Sequence, residues 1–247
     1  MRAARSSDLG PGSGLIWRVV EAQHRVSTMK LVDNAEEQER LEALLDETKP
    51  PVPAPCRHLH WLMFTPFRYP ARTESRFRRA GPLHPVFYAA ESVDTAIAEI
   101  AFWRLLFFIE SPAAPWPANP VELTAFSTVY ETAKRIDLTA PPFDAAAALW
   151  THPTDYTACH DLVDQAFALG AEAIRSTSAR DPLNRANVTL LSCAAFRDAA
   201  PRATRTWRLS LSAAGPFARC ETPARALSFG RDAFAADPRI AAMNWER

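Results

Sequence analysis

The chain has 247 residues, 48% of them apolar, and its 28 basic and 28 acidic side chains leave no formal net charge. That supplies a core for one large domain or two small ones. It also excludes a global field for nucleic acid or an anionic membrane, so any anion binding must be local. The longest apolar stretch, 96–109, is broken by Glu99 and Arg104 and is too short to span a bilayer.

Residues 1–13 are rich in Gly, Ser and Arg and read as a disordered tail, followed by a single domain over 14–247. Within it, 14–55 reads as an N-terminal helical extension, 56–200 as the core, and 201–247 as C-terminal strands and tail. Leu15–Val20 suggests a short strand. Asp33-Asn34-Ala35-Glu36-Glu37 resembles a capped helix start, with Leu41, Leu44 and Leu45 as an apolar stripe ending near Lys49. The tract KPPVPAP from Lys49 to Pro55 is stiff and extended. Leu59–Phe64 and Pro85–Ala89 read as strands, and Ser92 as the N-cap of a helix over Val93–Phe107. Four prolines between 112 and 120 mark a loop. Strands are expected at 121–130 and 133–138, then a helix over Asp155–Leu169 stopped by Gly170 at its C′ position. A strand pair follows at 173–178 and 188–193. Thr206–Leu211 alternates, with Trp207, Leu209 and Leu211 on one face, and Gly215-Pro216 turns it back toward 217–220. The pattern is α+β.

Several signals for chemistry fail. Gly10-Pro11-Gly12-Ser13-Gly14 neither follows a strand nor opens a helix, so it is no dinucleotide fingerprint. Cys56, His58 and His60 alternate as on one strand face, but a fourth metal ligand is missing and Pro55 disturbs the strand start; no metal is expected. Cys159 and His160 are adjacent on a helix and point about 100° apart, which argues against a thiolate–imidazolium pair. The four cysteines have no CxxC spacing and read as reduced, mostly buried thiols of a cytoplasmic protein; no signal peptide is evident. Only three lysines, Lys30, Lys49 and Lys134, accompany the arginines, so arginine type alone carries little information.

Glu99 carries the strongest signal. It is the only charge in Ala96–Trp103, and a carboxylate there is desolvated unless it lines a cleft or meets a cation. Upstream lie Arg68, Tyr69, Arg76, Arg78 and Arg79, then Tyr88; Ser178 lies near a later strand end. Each has an ordinary reading: a buried ion pair for Glu99, a solvated basic loop for the arginines, core for Tyr88.

Taken together, the stretch Thr65–Arg104 resembles the RES-domain toxins, named for invariant Arg, Glu and Ser positions. Ile174–Pro182 is similar to that family's late serine motif, Asp155–Ala171 before it fits as well, and Trp17–Arg25 resembles an N-terminal extension of longer members. On that resemblance the Arg, Glu and Ser fall on Arg76, Glu99 and Ser178. The pocket tyrosine falls on Tyr88, and a further arginine on Arg68, beside Tyr69, with Arg18 as competitor. Glu74 stands where glycine commonly precedes the Ser-Arg pair, and Thr177 where proline often precedes the serine. The resemblance implies an ADP-ribosyltransferase-like fold of mixed or antiparallel sheets with flanking helices. It also implies a toxin that cleaves the nicotinamide–ribose bond of NAD as glycohydrolase or phosphorylase, with NAD as substrate and no cofactor. Glu99, Arg76 and Ser178 would be catalytic; Arg68, Tyr69, Tyr88 and Arg76 would bind NAD. A cognate Xre-type helix-turn-helix antitoxin would neutralise it, binding DNA in its stead, with a homodimer in the complex. An ADP-ribosyltransferase modifying a protein, and a non-catalytic nucleotide-binding module, are the alternatives.

Overall fold

The computed structural model describes residues 3–22, 31–81 and 84–246. Its elements are β1 (Gly10–Glu21), α1 (Ala35–Glu47), α2 (Trp61–Arg68), β2 (Phe87–Ala90), α3 (Val93–Glu110), β3 (Val121–Asp137), α4 (Ala147–Trp150), α5 (Thr157–Ala168), β4 (Ala173–Thr177), β5 (Ala186–Leu190), β6 (Ala203–Ser210), β7 (Phe217–Cys220), β8 (Arg225–Ser228) and α6 (Pro238–Ala241). The architecture is α+β, as expected. The strand order is β1-β2-β5-β4-β3-β6-β7-β8, and β1 also pairs with β3. The first five strands therefore close into a ring, from which β6–β8 extend as a wing. Among the described strands only β3–β4 is parallel.

Helix α3 is apolar nearly all round, which suits a helix buried on most of its surface rather than one with a wet face. It packs Ile97, Ala101, Phe102 and Leu105 with Trp207 and Leu209 of β6 in one core cluster. Ser92 caps it, its Oγ accepting from Thr95 N. A second core lies around Phe87, Phe126 and Tyr130 under α2, and a third around Leu162, Val163 and Ile174 under α5. At the end of α5, Gly170 adopts φ +69°, and Ala171 N reaches back to Ala166 O, closing the helix as the glycine suggested.

Four expectations are corrected. Residues 3–13 are not a loose tail: β1 starts at Gly10 and pairs with β3 as far as Arg135. Leu59–Phe64 is not a strand but runs into α2, because Leu59, Leu62, Met63 and Phe67 fall at helical spacing and all are buried, while His60 Nδ1 accepts from Leu62 N. The two strands at 121–138 are one. Cys56 and Cys193 are not free thiols: the turn holding Cys56 packs on that holding Cys193, bringing Cα atoms 137 residues apart to 5.4 Å, and a disulfide joins them. Cys159 and Cys220 are free and buried. Helix α1 forms at the expected capped start, with Asn34 as the cap, but none of its residues is buried and Leu44 and Leu45 stay exposed. Gln23, His24 and Arg25, the end of the N-terminal segment compared above, lie outside the described residues. No described helix is long and apolar enough to cross a membrane.

Candidate active site

One row of the sheet sets the floor of the site. Trp17 of β1 pairs with Ala90 of β2, Ala90 with Asn187 of β5, and Asn187 with Ser176 of β4. Above this row α3 places Glu99, half-buried, in a cleft of about 350 Å³. The cleft is walled by Trp17, Ile100 and Trp103 and includes Arg18, Arg76, Arg78, Tyr88 and Asn187. Glu99 thus escapes full desolvation by lining a cavity, the first of the two solutions open to it.

Its carboxylate is tightly held. Ser178 Oγ donates to Glu99 Oε1 at 2.6 Å, and Asn187 Nδ2 donates to the same oxygen at 2.5 Å. The serine has no freedom in this. It accepts from Arg180 N at 3.1 Å and Asp181 N at 2.9 Å, so its one proton goes to Glu99. Both bonds fall on Oε1, which leaves Oε2 for a ligand. Ser178 itself is fully buried behind Glu99 and does not line the cleft. The turn that carries it is braced from two sides. Asp181 accepts from Thr95 of α3 at 2.7 Å and from Arg185, and Arg180 pairs with the buried Asp237 at 3.1 Å.

Tyr88 and Arg76 are coupled through a short loop. The Tyr88 hydroxyl accepts from Phe77 N at 2.8 Å and lies 3.0 Å from Ser75 Oγ. His160 Nε2 donates to Ser75 O at 2.9 Å. With residues 75–77 pinned in this way, Arg76 reaches the end of β4, donating to Thr177 O at 2.8 Å, Trp150 O at 3.3 Å and Ser176 Oγ at 3.2 Å. Burial raises the Tyr88 phenol above its ordinary pKa, against the opposing pull of its bonds to Ser75 and Phe77. Its oxygen is committed to the loop, so only its ring is available to a ligand.

Arg18, weighed only as a competitor from sequence, is the second arginine of the cleft. It donates to Tyr88 O at 2.8 Å and stacks 4.9 Å from the Phe87 ring. Burial, with the Arg78 charge nearby and against a smaller pull from Tyr88, lowers its guanidinium to about 10. Its Nε and that of Arg78 are both buried without a hydrogen-bond partner among the described residues. Two neighbouring cations in that state form a place for an anion.

Arg68 and Tyr69 do not belong to this site. Arg68, at the end of α2, donates to Pro50 O and pairs with Asp46 of α1 at 3.5 Å, and half-exposed Tyr69 lies outside the cleft. The stiff Lys49–Pro55 tract returns α1 to α2 and captures Arg68 there. Arg79 is exposed and bonded to Asp161 and Asp164 of α5. Among the described residues no arginine pairs with Glu99; hydrogen bonds from Ser178 and Asn187 take that role. Asn187 was not singled out from sequence, although a lone amide inside the apolar strand Ala186–Leu190 is an odd residue to bury. Cys159, its thiol pushed up to about 11 by burial, is no nucleophile, and His160 is occupied by Ser75. Cys56 is disulfide-bonded, His58 exposed and His60 a helix cap, so the alternating trio does not converge.

The RES domain family matches residues 52–212. The chain belongs to the RES-domain family. The matched span carries Arg76, Glu99, Ser178 and Asn187, whereas Arg18 on β1 lies before it. No curated protein matches the RES-domain chain. Among solved structures it is similar to a chain of the M. tuberculosis MbcT–MbcA toxin–antitoxin complex, at 12% identity and TM-score 0.48, over 79% of this chain and 85% of that one.

Proposed function

We propose that this RES-domain protein is a toxin that cleaves the nicotinamide–ribose bond of NAD. The observation that carries the reading is Glu99: a carboxylate with one oxygen fixed by Ser178 and Asn187, in an apolar-walled cleft that also holds unneutralised guanidiniums. Family membership supports it, since Glu99 and Ser178 stand at two of the positions that the resemblance assigns to the family's named residues, and Arg76, at the third, lines the same cleft.

The chemistry follows from charge. As the C1′–N bond breaks, its electron pair passes to the ring nitrogen, nicotinamide leaves neutral, and positive charge builds on the ribose. Glu99, fixed before the reaction and partly shielded from water, stabilises that charge at little reorganisation cost. Arg18 and Arg78 hold the pyrophosphate. Arg76, committed to the end of β4, shapes the pocket beside them, and the Tyr88 ring stacks on the nicotinamide. An acceptor oxygen then attacks C1′. Water yields ADP-ribose and a proton; inorganic phosphate yields the 1″-phosphate of ADP-ribose. NAD is consumed as a substrate. The same reading includes an Xre-type antitoxin that closes the cleft, with toxin dimers in the complex.

Purified protein incubated with NAD is expected to release nicotinamide. Adding phosphate separates the acceptors: a phosphorylated product with faster turnover assigns phosphorolysis, plain ADP-ribose assigns hydrolysis. Label from NAD appearing on a protein of a cell extract, with no free product, would replace the reading by protein ADP-ribosylation. Absence of any turnover would leave a nucleotide-binding module.

A further inference from the structure

Trp103 differs from the other aromatic side chains of the cleft in remaining 42% exposed. A single exposed tryptophan is unremarkable by itself; its placement gives it meaning. It lies four residues after Glu99 on α3, on the same helix face and one turn further along. Both residues line the cleft together with Trp17, Arg18 and Val19 of β1. The next residue, Arg104, is ion-paired with Glu21 at the end of β1, so the wall formed by α3 and β1 continues past Glu99 in that direction. The groove thus offers a fixed carboxylate, unneutralised guanidiniums and, one turn beyond the carboxylate, an open indole face.

At about 350 Å³ the cleft is near the small end of ligand sites, roughly 300–1,000 Å³. It suits the nicotinamide–ribose half of a dinucleotide and leaves the second base at the mouth. We infer that Trp103 is the platform on which that second base, the adenine of NAD, stacks, and that it makes the site selective for dinucleotides over mononucleotides. This rests on the NAD reading above. Stacking uses the π-face of a base and not its hydrogen-bonding edge. A dinucleotide with hypoxanthine in place of adenine is therefore accepted almost as well.

The test compares kcat/KM for NAD and for nicotinamide mononucleotide, which carries the same scissile bond without the adenylate half. Wild type is expected to prefer NAD. Trp103→Ala is expected to cut that preference about ten-fold, through the KM for NAD, as loss of one base–aromatic stack implies. Trp103→Phe restores most of it and keeps an aromatic ring beside the buried Phe102; a thermal midpoint within a few degrees of wild type shows that either variant is folded. An unchanged NAD preference in Trp103→Ala overturns the inference while leaving NAD cleavage intact. If wild type cleaves neither compound the NAD reading falls, and calorimetric titration with ADP then judges the platform alone. Weaker ADP binding in Trp103→Ala supports it; equal affinity in both proteins overturns it.

Discussion

At the residue scale, one oxygen of Glu99 takes two strong hydrogen bonds, and each should be separable. Asn187→Ala removes the amide donor, worth about 1.5–3 kcal/mol for a bond to a charged acceptor. It should lower kcat for nicotinamide release by about ten- to a hundred-fold with a smaller change in KM, read in steady-state kinetics. Ser178→Ala removes the other donor and also leaves Arg180 N and Asp181 N without their acceptor. It should therefore lose both rate and about 1–3 kcal/mol of stability by denaturant titration. The arginines divide in the same way. Arg18→Ala is expected to raise the KM for NAD at least ten-fold, whereas Arg68→Ala, tied to Asp46 and Pro50, should leave it within about two-fold. Glu99 was legible in the sequence because a charge within an apolar helix demands an explanation. Asn187 was not, since its meaning depends on β5 lying between Ala90 and Ser176, a register that no local pattern encodes. The resemblance puts the further arginine on Arg68 with Arg18 as competitor; the fold brings Arg18 into the cleft and leaves Arg68 outside it, tied to Asp46.

At the element scale, strong local chemistry was read correctly and competing signals were not. Ser92, Asn34 and Gly170 mark helix ends in the structure as in the sequence, because a cap is decided by a few adjacent residues. The segment 59–64 reads either way because a short, mostly apolar run suits both periods; Phe67, beyond it, extends the helical spacing of Leu59, Leu62 and Met63. Gly215 gives a sharper test. It adopts φ +107° at the turn between β6 and β7, and an added Cβ would run into Phe229 O. Gly215→Ala should therefore lower stability by about 2 kcal/mol or more, seen as a reduced thermal midpoint. Nicotinamide release by the folded fraction should persist, because no residue of the turn lines the cleft.

At the scale of the whole molecule, the site depends on parts of the chain far beyond 52–212. Strand β1 closes the ring and delivers Arg18, and the N-cap of α6, Asp237, meets Arg180 beside the Ser178 turn. Burial pulls the Asp237 carboxyl upward, but the Arg239 fork, the Arg239 N–H and the charges of Arg239 and Arg180 outweigh it and hold it below its ordinary value of 3.8. A depressed carboxyl contributes stability that is present above its unfolded pKa and lost as pH falls through its folded one. Asp237→Asn should cost about 3 kcal/mol near neutrality, because a buried guanidinium loses its partner. It should also flatten the loss of thermal stability of wild type below about pH 3.8. The Cys56–Cys193 link was invisible for a related reason, since a contact across 137 residues has no signature in spacing. The central claim is that the Glu99 carboxylate, and not merely the shape of the cleft, breaks the glycosidic bond of NAD. Nicotinamide release by wild type and by Glu99→Gln tests it most directly. We expect steady turnover from the first and a fall of at least a thousand-fold for the second, with its thermal midpoint kept within a few degrees. Equal release from both proteins would contradict the account.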